Sequence, residues 1–155
     1  MAAPRGRPDS CSRTAVSEQR GRGIPVKFTS EGAVLAGKSI LVIEDEPLLQ
    51  ELICAILSEL GAQCSAFANA EDGLMALLKR QDQYSLVIVD HSLPGDIKGL
   101  ELAAMVRQRW PATPVLVTSG HALRSSDLGA DQRFLMKPWS VQQLSAAVFA
   151  ALDGD

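Results

Sequence analysis

Two short runs constrain this chain most: Ser39-Ile40-Leu41-Val42-Ile43 and Leu86-Val87-Ile88-Val89 are apolar almost without break, and each stops at an acid, Glu44-Asp45 and Asp90. A strand buried on one face alternates apolar and polar residues. An unbroken run indicates burial on both faces, the mark of a parallel sheet covered by helices. The segments between the runs have helical spacing. Leu48, Leu49, Leu52, Ile53, Ile56, Leu57 and Leu60 follow Pro47, which suits a first helical turn, and Gly61 ends the pattern. Ala62 to Phe67 reads as a second strand. Asn69 can cap a helix from Ala70 to about Arg80 with Leu74, Leu77 and Leu78 inward. A third helix spans about Lys98 to Arg109. Val115 to Ser119 and Phe134 to Met136 are two further strands, and a last helix runs from Ser140 to about Leu152. Such alternation with short connections predicts a doubly wound α/β domain.

Composition narrows the function. Residues 1–37 hold six basic and three acidic side chains, whereas residues 38–155 hold nine basic and fifteen acidic ones. An acidic body is a poor match for a phosphate backbone, so no nucleic acid is expected as the main partner. The first 37 residues read as a disordered basic tail or linker, rich in Pro, Gly, Ser and Arg, ahead of one domain over 38–152. Cys11, Cys54 and Cys64 are odd in number and lack metal-ligand spacing, so neither a disulfide scaffold nor a zinc site is expected, and a reducing cytoplasm fits. No apolar run is long enough for membrane insertion.

In open parallel sheets, ligands sit beyond the carboxyl ends of the strands. Those ends carry Glu44 and Asp45, Asp90, Ser119 and Lys137. Taken singly, each has a plain structural explanation: acids favour helix starts, and a lysine before a proline is commonly on the surface. Together at one sheet edge they form a charge problem, since three close carboxylates repel unless cations join them. Oxygen donors of this kind suit Mg²⁺, and Lys137 adds a compact positive charge. A set with no Cys nucleophile and no His base, but with a hydroxyl and cations, suits phosphoryl transfer.

The segments Val42-Ile43-Glu44-Asp45-Glu46-Pro47, Val89-Asp90 with Leu93-Pro94-Gly95, Val117-Thr118-Ser119-Gly120-His121 and Phe134-Leu135-Met136-Lys137-Pro138 resemble the response-regulator receiver domain of two-component signalling, over about residues 38–152. The resemblance implies a flavodoxin-like five-stranded parallel sheet of order 2-1-3-4-5. It implies that Asp90 is the phosphoacceptor. Asp45 and Asp90 would bind Mg²⁺ with the Ser92 backbone carbonyl, and Glu44 through water. Ser119 and Lys137 would meet the phosphoryl group, and Phe134 falls where the family has an aromatic switch residue. His121, two residues past Ser119, is read either as a surface histidine or as a group crowding the attacking water and tuning phosphate lifetime. The implied donor is a histidine kinase or a histidine phosphotransfer protein.

Two departures stand out. The stretch from Asp90 to Gly99 is one residue longer than the commonest form. The stretch from Ser119 to Lys137 is about one helical turn shorter, so the helix between the fourth and fifth strands, helix 4 of the family, is expected to be short or irregular. Only Asp153-Gly154-Asp155 follow the last helix, so output is expected through a downstream protein or as a phosphorelay or sink, in a single-domain form or as the detached receiver of a hybrid kinase. The rival readings are an Mg²⁺-dependent phosphatase or hydrolase with an Asp nucleophile, and a degenerate receiver acting as a binding module. Ser92, where the hydrolase would need a second acid, counts against the first. One further motif is set aside. Gly32 to Ser39 fits the phosphate-loop spacing, but that loop must follow a strand and open a helix, and here a strand follows it.

Overall fold

The computed structural model describes residues 34–80, 83–123 and 132–153. In order they form β1 (Ser39–Ile43), α1 (Pro47–Glu59), β2 (Gln63–Phe67), α2 (Ala70–Lys79), β3 (Leu86–Asp90), α3 (Gly99–Arg109), β4 (Val115–Ser119), β5 (Gln132–Met136) and α4 (Val141–Asp153). All strand pairs are parallel and the sheet order is β2-β1-β3-β4-β5. The doubly wound sheet expected from the sequence is therefore present. The helix expected between the fourth and fifth strands falls mostly on residues 124–131, outside the described residues.

The unbroken apolar runs are the centre of the sheet. Every residue of β3 is buried, as are all of β1 but Ser39. Leu41, Ile43, Val87 and Val89 pack with Leu77, Leu102, Ala103 and Val106 of α2 and α3. The alternate positions Ile40, Val42, Leu86 and Ile88 are as fully buried and point the other way, toward the side where α1 meets α4. This two-sided burial is why the strands lack alternation.

Local signals place the helix ends. Pro47 starts α1, and Gly61 leaves it with φ +102°. Asn69 caps α2 by accepting the Asp72 N–H at 2.8 Å. Asn69→Ala is expected to lower stability by about 1 kcal/mol, read from the midpoint of urea unfolding at unchanged slope.

One inward assignment, Leu78, needs correction, and two residues of the helical pattern in α1 lie outside. Leu48 and Leu52 are 75% and 44% exposed and Leu78 is 46% exposed. A helix of this radius buries one stripe, here Ile53, Ile56 and Leu57 in α1 and Leu77 in α2, and apolar residues beyond it remain outside. In the phosphate-loop-like segment, the described residues 34–37 form a turn and Ser39 enters β1, so no helix opens there. Leu35, three residues before the expected boundary, is buried, and its N–H bonds the Leu60 carbonyl at 2.8 Å.

Candidate functional site

The carboxyl ends of β1, β3, β4 and β5 lie side by side because the register aligns them: Ile43 with Val89, Asp90 with Thr118, and Ser119 with Met136. The next residues after β1 and β5 are Glu44 and Lys137. Oxygen atoms of Glu44, Asp45 and Asp90 come within 4.8 Å of one another. Lys137 Nζ reaches Asp90 Oδ1 at 3.2 Å and Glu44 Oε1 at 3.2 Å. One ammonium thus serves two carboxylates.

Glu44 and Asp90 are nearly closed to solvent, while Asp45 is exposed. Burial raises the pKa of both buried acids above the ordinary carboxylate range. The Asp90 charge adds to the rise at Glu44, and the Glu46 N–H and Lys137 oppose it. At Asp90, Lys137 opposes the effect of burial, the Asp45 charge adds to it, and the Ser92 N–H opposes it. At Lys137, burial works against the ammonium, but Asp90 and Glu44 together outweigh it and hold the pKa above the ordinary lysine value. The ammonium remains charged at neutral pH, and the two buried acids are short of positive charge.

The fit to a divalent ion follows from the donors. The described residues offer three carboxylates at one point, with oxygen ligands and no sulfur or imidazole in the cluster. Hard oxygen donors with an exposed side match a cation that keeps several waters.

The hydroxyl of Ser119 is buried at the end of β4 and accepts the His121 backbone N–H at 2.9 Å. Among the described residues its own hydrogen meets no acceptor. The His121 ring is exposed. The Lys137 backbone N–H donates to the Ser119 carbonyl at 2.8 Å, which ties the backbone after β5 to the end of β4. Phe134 is half-buried on β5, in register with Val117. Ser92 is exposed in the loop after β3.

Two supporting residues escaped the sequence reading. Glu71, in the first turn of α2, accepts the N–H groups of Asp96 and Ile97 at 2.8 and 2.9 Å and so pins the lengthened loop after Asp90. Those N–H bonds hold its carboxyl below the ordinary range. Gly99 lies against the backbone of Asp90: a Cβ there would overlap the Asp90 carbonyl oxygen and sit 2.9 Å from His91 Cα. Local sequence carries a hint of neither, since both contacts join separate elements.

The family pattern described as "Response regulator receiver domain" matches residues 40–149. The chain belongs to this family. It is 36% identical over 100 residues to the sensor protein TorS of Escherichia coli, covering 64% of this chain and 11% of TorS. It is 36% identical to the transcriptional regulatory protein HprR of Escherichia coli, covering 73% of this chain and 51% of HprR. Among solved structures, the response regulator protein TrrA of Thermotoga maritima, in complex with Mg(2+)-BeF, matches with a TM-score of 0.66 and 31% identity, covering 74% of this chain and 99% of that one. The receiver therefore spans about half or less of the length of these curated relatives. No helix among the described residues is long and apolar enough to cross a membrane.

Proposed function

We propose that this receiver takes a phosphoryl group onto Asp90 from a histidine kinase or a histidine phosphotransfer protein, and passes the signal on by contact with a downstream protein or as a phosphorelay or sink. The observation that carries the reading is the shared Lys137 ammonium between Asp90 and Glu44, set among three carboxylates at the strand ends. Mg²⁺ would be held by Asp45, Asp90 and the Ser92 carbonyl, with Glu44 acting through water, and would neutralise charge on the phosphoryl oxygens. An Asp90 carboxylate oxygen attacks phosphorus, the O–P bond forms, and the P–N bond to the donor imidazole breaks with its electron pair leaving on nitrogen. Lys137 then turns from the Asp90 carboxylate to the new phosphoryl oxygens. Ser119 donates its free hydroxyl hydrogen to another, since its oxygen is already occupied by the His121 N–H. Phe134 reports the change on β5 as the switch residue, and His121 at the rim tunes the lifetime of the acyl phosphate. The domain is a switch that catalyses its own phosphorylation and hydrolysis, not a metabolic enzyme, and it works in the cytoplasm with its donor.

Incubation with Mg²⁺ and a small phosphodonor is expected to add one base-labile phosphoryl group by intact mass. No gain would turn the reading toward a binding module that does not use phosphate.

Cation dependence has a defined sign. Glu44 and Asp90 have raised pKa values in the folded state. They therefore contribute stability that is present below the ordinary carboxylate range and lost as pH rises through their folded values. Mg²⁺ replaces that loss, because it binds the charged forms in the folded chain. The expected result is a rise in unfolding free energy at neutral pH of about 2.7 kcal/mol with Mg²⁺ at roughly a hundred times its Kd. The increment should shrink toward nothing as pH falls into the carboxylate range, followed by urea unfolding across pH.

A further inference from the structure

Away from the acidic cluster, Cys54 on α1 faces Cys64 on β2, with their Sγ atoms 2.8 Å apart. Both are free thiols on half-buried residues. The gap exceeds a disulfide bond, at about 2.0 Å, by only about 0.8 Å. The pair joins neighbouring elements, since α1 packs on β2. Cys64 pairs with Ile40 in the register, three positions before Phe67 at the carboxyl end of β2. At the rise of a strand it lies about 10 Å back from the edge that carries the acceptor chemistry.

We propose that Cys54 and Cys64 are a reactive dithiol that closes reversibly into an intrachain disulfide when the chain meets a hydroperoxide. Either thiol could donate to the other; in the arrangement found, Cys64 donates to Cys54. The Cys64 S–H donated to Cys54 lowers the Cys54 pKa, with burial opposing, while the same bond and burial push the Cys64 thiol up. Cys54 is the nucleophile, because the thiolate is the reactive form, and Cys64 is the resolving thiol. The Cys54 sulfur attacks one peroxide oxygen, an S–O bond forms, the O–O bond breaks, and the leaving hydroxide takes a proton. The Cys64 sulfur then attacks the Cys54 sulfur, the S–S bond forms, the S–O bond breaks, and the departing hydroxide leaves as water with the Cys64 proton. With hydrogen peroxide, two thiols and one peroxide give one disulfide and two waters. The sulfurs together lose two electrons and the peroxide gains them. A dithiol reductant reverses the step by exchange. The bond ties α1, the helix that leaves the acidic loop, to the edge strand of the sheet.

The test uses the unsubstituted chain, Cys11 included. After exposure to hydrogen peroxide, free thiols are blocked with N-ethylmaleimide and the chain is cut after glutamates, which separates the two cysteines at Glu59. The expected product is one pair of fragments joined through Cys54 and Cys64, with Cys11 blocked, and release of both fragments by dithiothreitol. In Cys54→Ser the rate of peroxide-dependent loss of the Cys64 thiol is expected to fall at least about tenfold. Both thiols blocked after peroxide, a bridge to Cys11 in their place, or Cys54 carried to sulfinic acid beside an intact Cys64 would each overturn the proposal.

Discussion

Asp90→Asn is expected to abolish phosphoryl transfer from small donors and protein donors alike, and at the same time to stabilise the metal-free domain. The first half follows from chemistry: an amide oxygen does not form an acyl phosphate, and Asp90 is the carboxylate that ends β3 between the ends of β1 and β4. The second half follows from electrostatics. Asp90 is 4% exposed, and its charged form is disfavoured despite a salt bridge of 3.2 Å to Lys137. Asn keeps the volume and can still accept from Lys137, which retains Glu44 as its counter-charge. Removing one of the crowded charges should add about 1 kcal/mol, in keeping with active-site groups that are retained for function at the expense of stability. Urea unfolding without metal and intact mass after phosphodonor read the two halves separately. A phosphoryl gain surviving in the Asp90→Asn variant would move the acceptor elsewhere, and a loss of stability would mean the ion pair is net favourable.

Gly99→Ala has the opposite character: it touches no reacting atom and should damage both stability and transfer. The added methyl would overlap the Asp90 carbonyl oxygen and crowd His91 Cα. These are backbone atoms at the end of a central strand, held by the His91 N–H to Thr118 carbonyl bond at 2.7 Å, so they have no rotamer to change. Either α3 lifts at its first residue or β3 shifts at its last. The expected cost is about 3 kcal/mol, the upper range for overpacking a core. Since a displacement of order an ångström at a reacting group can cost about a hundredfold in rate, transfer from a small phosphodonor should fall by at least about tenfold even in the folded fraction. Wild-type rate with lowered stability would show that the helix, not the acceptor strand, gives way.

Much of this arrangement was legible in the sequence because the informative residues are local. Unbroken apolar runs showed the two central strands, Asn69 and Pro47 showed helix starts, and the acids at the run ends marked the edge where the carboxylates gather. The family's motifs then supplied strand order. The unread part is long-range. Nothing near Glu71 says that its carboxylate will hold Asp96 and Ile97, and nothing near Gly99 says that a carbonyl will press on it. The same holds for Cys54 and Cys64: an odd cysteine count argued against a scaffold and was silent on a contact between a helix and a strand. The inner face of α2 was over-read at Leu78, since apolar residues there extend beyond the one stripe that the sheet can accept.

The bond between Lys137 and Glu44 spans 93 positions of chain. Its third member, Asp90, lies near the middle. During synthesis, the two acids emerge and their strands can pair well before the lysine exists, so a nascent domain carries an acidic edge without its organic counter-ion. On the proposed chemistry, in which Lys137 meets the phosphoryl group, competence would arrive only with the fifth strand. A chain stopped before it would then be an inert receiver rather than a slow one, and the last strand synthesised would be the one that completes the site.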